Sequence, residues 1–129
     1  MKDASSYTKL FKRRHILIVE DEHFLADKAR SKLEKLGAIV VGPTGNIEQA
    51  LKIIDEQRVD AAILDIHLSG ELVFAVADKL AELGIAFVFA AAYKPSIIPD
   101  RFPGFLLCEK PLALGQIAKA LFAPDHPNR

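Results

Sequence analysis

The chain has 129 residues, which is enough for one domain with a buried core. Its 17 basic and 17 acidic side chains cancel and 50% of its residues are apolar, which excludes a disordered chain and argues against nucleic acid as the main partner. The longest apolar run, 85–93, is far shorter than the roughly 20 residues that span a bilayer, and a lone cysteine without a signal-peptide core predicts a reducing cytoplasm.

Residues 1–14 form a polar, basic N-terminal leader. Its five basic residues against one acidic residue give a net charge of +4, so residues 15–129 carry −4. Within the leader, Leu10 and Phe11 permit an extra helical turn against the body of the domain. The pattern leaves two interpretations open for the leader, a solubilising tail or a docking element.

After the leader, short apolar runs alternate with segments of helical periodicity. The runs that predict strands are 16–19, 38–41, 61–64, 85–90 and 105–108. The segments that predict helices have their apolar stripes within 21–36, 47–54, 72–83 and 114–121.

Local signals mark where these helices begin and end. Asn46 followed by Gln49 is typical of an N-cap with a capping-box partner. Gly37 and Gly84 each follow the last apolar residue of a helical stripe, where glycine commonly ends a helix. These signals support the order of elements.

The alternation of strand and helix predicts an α/β fold with a parallel sheet covered on both faces. Five strands in this length indicate a doubly wound, flavodoxin-like (βα)5 sandwich with the strand order 2-1-3-4-5. Between strands four and five, Pro95, Pro99 and Pro103 would each interrupt a helix. We therefore expect the fourth helix to be short or absent.

Acidic residues follow two of the predicted strands. Glu20, Asp21 and Glu22 come directly after strand one, and Asp65 ends strand three. The carboxyl ends of parallel strands meet at one edge of the sheet, where ligands bind in open α/β folds. Carboxylates that lie close together repel one another and favour a cation, and an all-oxygen ligand set suits Mg²⁺.

A lysine completes this pattern at the end of strand five. Lys110, followed by Pro111, is placed to neutralise a phosphoryl oxygen near the same edge. Carboxylates, a divalent cation and one ammonium group suit phosphoryl transfer, in which positioning and charge neutralisation do most of the catalysis. Asp65 is then the candidate nucleophile, because a carboxylate can form an acyl phosphate.

These motifs resemble the receiver domains of two-component response regulators. The resemblance is carried by the segments 16–22, 64–70 and 110–111, and it extends over about residues 15–122. It implies that Asp65 is the phosphoacceptor and that Glu20 and Asp21 hold Mg²⁺ together with Asp65.

The same resemblance assigns three further roles. The backbone carbonyl of His67 is implied as another metal ligand, and Lys110 as a contact to the phosphoryl group. The Lys110–Pro111 bond is implied to be cis, which an X-Pro bond adopts at small cost.

Two positions depart from the family pattern. Ala91 stands where the family usually has Thr or Ser at the end of strand four, and Leu107 replaces the switch aromatic of strand five. The segment resembles a receiver subgroup with Phe-Ala-Thr-Gly-x-Tyr in strand four and a proline-rich stretch in place of helix four. In that subgroup, whose members are often stand-alone bacterial proteins, Tyr93 is the candidate replacement switch residue.

The resemblance predicts a signalling protein that is not an enzyme apart from transferring a phosphoryl group onto its own Asp65. The expected donor is a sensor histidine kinase or a histidine phosphotransfer protein, and the downstream protein is unknown. We expect the receiver domain at 15–123 and a tail at 124–129, with no output domain. Output would then pass through protein contacts or through phosphoryl flux.

Three alternative functions compete with this interpretation. A degenerate receiver that binds proteins without phosphorylation is favoured by Ala91 and Leu107 and opposed by the retained Asp21, Asp65 and Lys110. A flavodoxin-type electron carrier would need a phosphate-binding loop where the acids follow strand one. A phosphatase with an aspartyl intermediate fits the spacing of these acids poorly.

Overall fold

The computed structural model describes residues 4–68, 70–91, 98–99, 102, 107–109 and 114–122. A 3₁₀ helix at Ala4–Phe11 precedes the first strand. The strands are β1 His15–Val19, β2 Ile39–Thr44, β3 Ala61–Asp65, β4 His67–Leu68, β5 Glu71–Leu72, β6 Ala86–Ala91 and β7 Leu107–Glu109. The α-helices within the described residues are α1 His23–Lys35, α2 Ile47–Glu56, α3 Phe74–Glu82 and α4 Leu114–Phe122.

Five of the strands form one parallel sheet in the order β2-β1-β3-β6-β7. The predicted order 2-1-3-4-5 is confirmed, because β6 and β7 are the fourth and fifth strands of the main sheet. The short strands β4 and β5 form a separate antiparallel pair in the loop after β3. β1 and β3 are direct neighbours, so their carboxyl ends share one edge of the sheet.

Alternate residues of the central strands face two separate cores. On one side, Leu17 and Leu64 pack beneath α2 and α3. On the other side, Ile18 and Ile63 pack with Leu33 of α1 and with residues of α4. Both faces of β1 and β3 are therefore buried, as their continuous apolar runs predicted.

Strand β2 is longer than the predicted 38–41 because it continues through Gly42 and Pro43 to Thr44. Proline is tolerated there because β2 lies at the edge of the sheet, where its missing N–H removes no ladder bond. Gly42 has a φ of +85°, and the register with β1 shifts between Leu17 and Val19. The Gly42–Pro43 peptide is cis.

The third helix is shorter than its apolar stripe indicated. Leu72 lies in the β4–β5 hairpin and Leu83 follows the end of α3, and their side chains are 43% and 52% exposed. Gly70, with a φ of +86°, forms the turn of this hairpin. Periodicity alone could not separate the hairpin from the helix, because strands of two residues are too short to show the period of a strand.

The leader packs against the domain. Phe11 is fully buried, and its ring meets Phe122 of α4 edge-on at 5.6 Å between centroids. The guanidinium carbon of Arg14 lies 4.7 Å from the centroid of the Phe122 ring, and the Lys119 ammonium lies 5.6 Å from that of Tyr7. The helical turn that Leu10 and Phe11 permitted is present as the 3₁₀ helix.

The connection between β6 and β7 lies mostly outside the described residues. Within it, Phe102 is 5% exposed and its N–H donates to the carbonyl of Pro99 at 3.2 Å. Its ring packs with those of Phe74, Phe87 and Phe89 at 5.6–6.0 Å. Among the residues that the structure describes, no helix is both long and apolar enough to span a membrane.

Candidate functional site

Three of the predicted acids converge at the carboxyl edge of the sheet. Glu20 and Asp21 follow β1 directly, and Asp65 ends the neighbouring strand β3. One carboxylate oxygen from each of the three can be chosen so that all lie within 4.8 Å of one another. Asp21 is exposed, while Glu20 and Asp65 are half-buried. Strand adjacency thus brings together acids that lie far apart in the sequence.

The third acid after β1 has a different task. The Glu22 carboxylate accepts the N–H of Leu25 at 2.7 Å, which makes Glu22 the N-cap of α1. Its own N–H donates to Oε2 of Glu20 at 3.1 Å. An acid at a helix N-terminus is stabilised by the helix dipole and by the unpaired N–H groups of the first turn. The three consecutive acids therefore divide into one cap and two site residues.

The loop after β2 forms a wall of the site that the sequence did not indicate. The N–H of Glu20 donates to the carbonyl of Thr44 at 2.9 Å. The next residue, Gly45, lies so close to Asp21 that a Cβ there would be 2.6 Å from the Cα and Cβ of Asp21. A glycine between strand and helix is an ordinary loop signal, so only the close approach in space reveals this role.

A cavity of about 390 Å³ adjoins the acids between α1 and α4. Glu20 and Asp65 form part of its wall, and Lys28 and Lys32 of α1 contribute basic groups. The remaining lining residues are all apolar: Ile18, Val19, Leu25, Ala29, Ile63, Ala90 and Leu114. The acid site therefore lies beside an apolar cavity that is also lined by two lysines.

The structure places the other predicted site residues only in part. His67 begins the β4–β5 hairpin two residues after Asp65, and its side chain is exposed. Ala91 ends β6, where it pairs with Glu109, and Leu107 begins β7 opposite Phe89. The predictions for Tyr93, Lys110 and Pro111, including a cis bond before Pro111, lie outside the described residues.

The donor set fits a hard divalent cation. Mg²⁺ takes oxygen ligands at 2.0–2.1 Å, so oxygens on opposite sides of one ion are about 4 Å apart. Carboxylate oxygens of Glu20, Asp21 and Asp65 within 4.8 Å of one another can surround such an ion directly or through water. Three clustered carboxylates without a cation would repel one another.

Comparison with known protein families matches the sequence of this chain to one family. The family model described as "Response regulator receiver domain" matches residues 16–93. The sensory transduction protein LytT of Bacillus cereus is 33% identical over 81 residues, which is 60% of this chain and 33% of that protein. The chain thus spans about a third of the length of this curated relative.

Solved structures show the same fold. The solution structure of SdrG from Sphingomonas melonis Fr1 is 37% identical, with a TM-score of 0.73 over 84% of this chain and 93% of that one. The BeF3-activated conformation of SdrG from Pseudomonas melonis Fr1 has a TM-score of 0.68 at 37% identity, over 83% and 92% of the two chains. The response regulator PhyR from Brucella abortus is 25% identical, with a TM-score of 0.76 over 92% of this chain and 51% of that one.

Proposed function

The chain belongs to the response regulator receiver domain family, and from this premise we propose that it accepts a phosphoryl group on Asp65 from a sensor histidine kinase or a histidine phosphotransfer protein. The observation that carries the proposal is the convergence of Asp65 with Glu20 and Asp21 at the carboxyl edge of the sheet. A lone carboxylate at a strand end would not distinguish a phosphoacceptor from a turn cap. A carboxylate held beside two others supports the assignment as a phosphoacceptor.

In this proposal each acid has a separate part. An oxygen of Asp65 attacks phosphorus, so that a P–O bond forms an acyl phosphate while the donor's P–N bond breaks. Glu20, Asp21 and the His67 carbonyl, together with Asp65, would hold Mg²⁺, which supplies charge neutralisation to the phosphoryl oxygens. Lys110 would contact the phosphoryl group, and Lys110–Pro111 would be cis. The half-buried position of Asp65 limits access to donors that reach the edge of the sheet.

The surface beside the acids suits a protein donor. Phe24, the second residue of α1, is 68% exposed, and the Lys28 ammonium lies 5.7 Å from the centroid of its ring. Because Lys28 also lines the cavity beside the acids, we propose that Phe24 and Lys28 belong to the surface that the donor contacts. We propose a cytoplasmic bacterial setting for this contact and output through protein contacts or phosphoryl flux. SdrG, which resembles this chain over most of both lengths, is recorded in a BeF3-activated conformation, and we extend such activation to this chain.

The switch is proposed to differ from the usual family arrangement. Ala91 offers no hydroxyl to a phosphoryl oxygen, and Leu107 offers no aromatic ring. We assign the chain to the subgroup with a proline-rich segment in place of helix four, with Tyr93 as the candidate replacement switch. Phe89 and Ala90 in β6 supply the start of that subgroup's motif.

Intact-mass measurement tests the phosphoacceptor. The full chain is incubated with acetyl phosphate and Mg²⁺, and the wild type is expected to gain the mass of one phosphoryl group. Asp65→Asn should gain none, because the nucleophile is removed. The matched control is Asp60→Asn. Asp60 directly precedes the first residue of β3, the strand that Asp65 ends, so this variant should still form the adduct. The incubation is repeated with a phosphorylated phosphotransfer protein as the donor. No adduct on the wild type with either donor, or an adduct that persists in Asp65→Asn, would refute the proposal.

A second candidate function rests on Ala91. With no hydroxyl at this position, a phosphorylation-independent binding module that keeps the receiver fold is the alternative. The same experiment separates the two functions. A wild-type chain that stays unmodified with both acetyl phosphate and a phosphorylated phosphotransfer protein, while retaining its fold by circular dichroism, would favour the binding module.

A further inference from the structure

Gly45 makes the closest approach of the β2–α2 loop to the acid site. A Cβ built on Gly45 would lie 2.6 Å from both Cα and Cβ of Asp21 and 3.3 Å from its backbone nitrogen. Two of these three atoms belong to the backbone of Asp21, so rotating a side chain cannot relieve the clash. The φ of Gly45 is not in the left-handed region, so the contact itself, rather than backbone strain, excludes a side chain.

A hydrogen-bond network fixes the loop that carries Gly45. The Thr44 hydroxyl is buried, donates to Oε1 of Gln49 at 2.5 Å and accepts the N–H of Asn46 at 3.2 Å. Asn46 caps α2 by accepting the N–H of Gln49 at 2.8 Å. Because both neighbours of Gly45 are bonded to the first turn of α2, the loop cannot easily move away from the site.

The same loop is joined to the residue before Asp21. The Thr44 carbonyl accepts the N–H of Glu20 at 2.9 Å. Two consecutive residues of the loop therefore restrain this segment: Thr44 through its hydrogen bond to Glu20, and Gly45 through its close approach to Asp21. Any added volume at position 45 is transmitted to Asp21, since the network resists displacement of the loop.

We propose that Gly45 is a positioning residue for Asp21, and that α2, through its capped first turn, sets the distance between Asp21 and Asp65. This inference rests on the proposed function, because it assumes that the acids hold Mg²⁺. Loss of a neighbour that positions a metal ligand commonly weakens metal affinity by about 10–100-fold. Gly45 would thus act on the metal without touching it.

The test compares two glycine variants of the full chain. Gly45→Ala is expected to raise the dissociation constant for Mg²⁺ about tenfold in calorimetric titration. Without Mg²⁺, the amide resonance of Asp21 should shift in the same variant. The matched control is Gly37→Ala, where φ is +88° and the added Cβ meets Cγ of Lys12 at 3.2 Å. That variant should lower the melting temperature and leave the affinity for Mg²⁺ unchanged.

A second variant covers the case in which Gly45→Ala does not fold. Thr44→Val removes the hydroxyl that anchors the loop but adds no clash at Asp21, and it should weaken Mg²⁺ binding by a smaller factor than Gly45→Ala. If the wild type binds Mg²⁺ and Gly45→Ala binds it with the same affinity, the positioning role is wrong. If only Thr44→Val folds, an affinity equal to that of the wild type in this variant has the same meaning. A wild type that fails to bind Mg²⁺ at all refutes the proposed function instead.

Discussion

Asp60 shows how one side chain joins two strands at the end of the sheet away from the acid site. Its carboxylate accepts the N–H of His15 at 2.7 Å and the Nε–H of Arg58 at 3.2 Å, and its own N–H donates to the His15 carbonyl at 2.7 Å. Burial raises the pKa of Asp60, but the hydrogen bonds from His15 and Arg58 and the charge of Arg58 outweigh burial and lower it below 3.8.

This lowered pKa predicts a pH-dependent stability. The carboxylate of Asp60 stabilises the folded chain above the pKa of the unfolded state, about 3.8, and this contribution is lost as the pH falls through the lower folded pKa. Asp60→Asn should reduce the free energy of unfolding at pH 7 by about 1–2 kcal/mol, since hydrogen bonds to a charged group are involved. Urea unfolding at several pH values should show this difference shrinking below pH 3.8.

Asp27→Asn provides the control for this pH series. The side chain of Asp27 is 69% exposed and pairs with Arg30 one turn along α1, so its replacement should change stability little at any pH. A difference between the wild type and Asp60→Asn that stays constant down to the acid range would contradict the prediction.

At the scale of elements, the leader and α4 form one packing unit. Phe11 contributes a fully buried ring to the core shared with α1 and α4, where Leu33, Ile117 and Ala118 are also buried. The basic residues of the leader that the structure describes do not prevent this packing, because Lys9, Lys12, Arg13 and Arg14 are all exposed and Arg14 covers the Phe122 ring. The leader thus contributes to the core, while its role toward partners stays a proposal.

The burial of Phe11 predicts a large loss on truncation. Phe11→Ala should lower the free energy of unfolding by about 3–5 kcal/mol, because a ring is removed and a cavity remains. Phe24→Ala is the matched control, since Phe24 is 68% exposed and its loss should cost only about 0.5 kcal/mol. Chemical denaturation followed by circular dichroism measures both. Equal and small effects would mean that the 3₁₀ helix does not stabilise the domain.

At the scale of the whole molecule, the proposed metal site couples cation binding to the stability of the fold. Glu20, Asp21 and Asp65 are brought within 4.8 Å only when β1 and β3 pair, so their repulsion exists in the folded state and hardly at all in the unfolded chain. A cation that binds the folded state alone stabilises it by mass action. The proposed Mg²⁺ site therefore links metal concentration to global stability.

This linkage predicts that Mg²⁺ raises the melting temperature of the wild type in proportion to the logarithm of its concentration above the dissociation constant. Asp21→Asn should melt at a higher temperature than the wild type without Mg²⁺ and respond less to the ion, because one repelling charge and one ligand are gone. Scanning calorimetry at matched ionic strength checks both. A wild-type melting temperature that ignores Mg²⁺ would argue against a metal site at these acids.

Sequence patterns predicted most of the elements but not all of their limits. The continuous apolar runs gave β1 and β3, and Asn46 with Gln49 marked the start of α2 correctly. The capping box itself differs, because the Gln49 side chain accepts from Thr44 instead of returning to Asn46. The sequence did not predict that Leu72 lies in a hairpin or that β2 extends through Pro43, since a hairpin and an edge strand depend on neighbours in space.

By itself the sequence determined the alternation of strand and helix, the two-sided burial of the sheet and the set of acids at the strand ends. These features follow from periodicity and residue type, which are local properties. Only the tertiary structure decided that Glu22 caps α1 while Glu20 and Asp21 lie beside Asp65, and that Asp21 leaves no room for a Cβ at Gly45. Such assignments depend on distances between segments remote in the chain, and these distances are set by strand pairing and core packing.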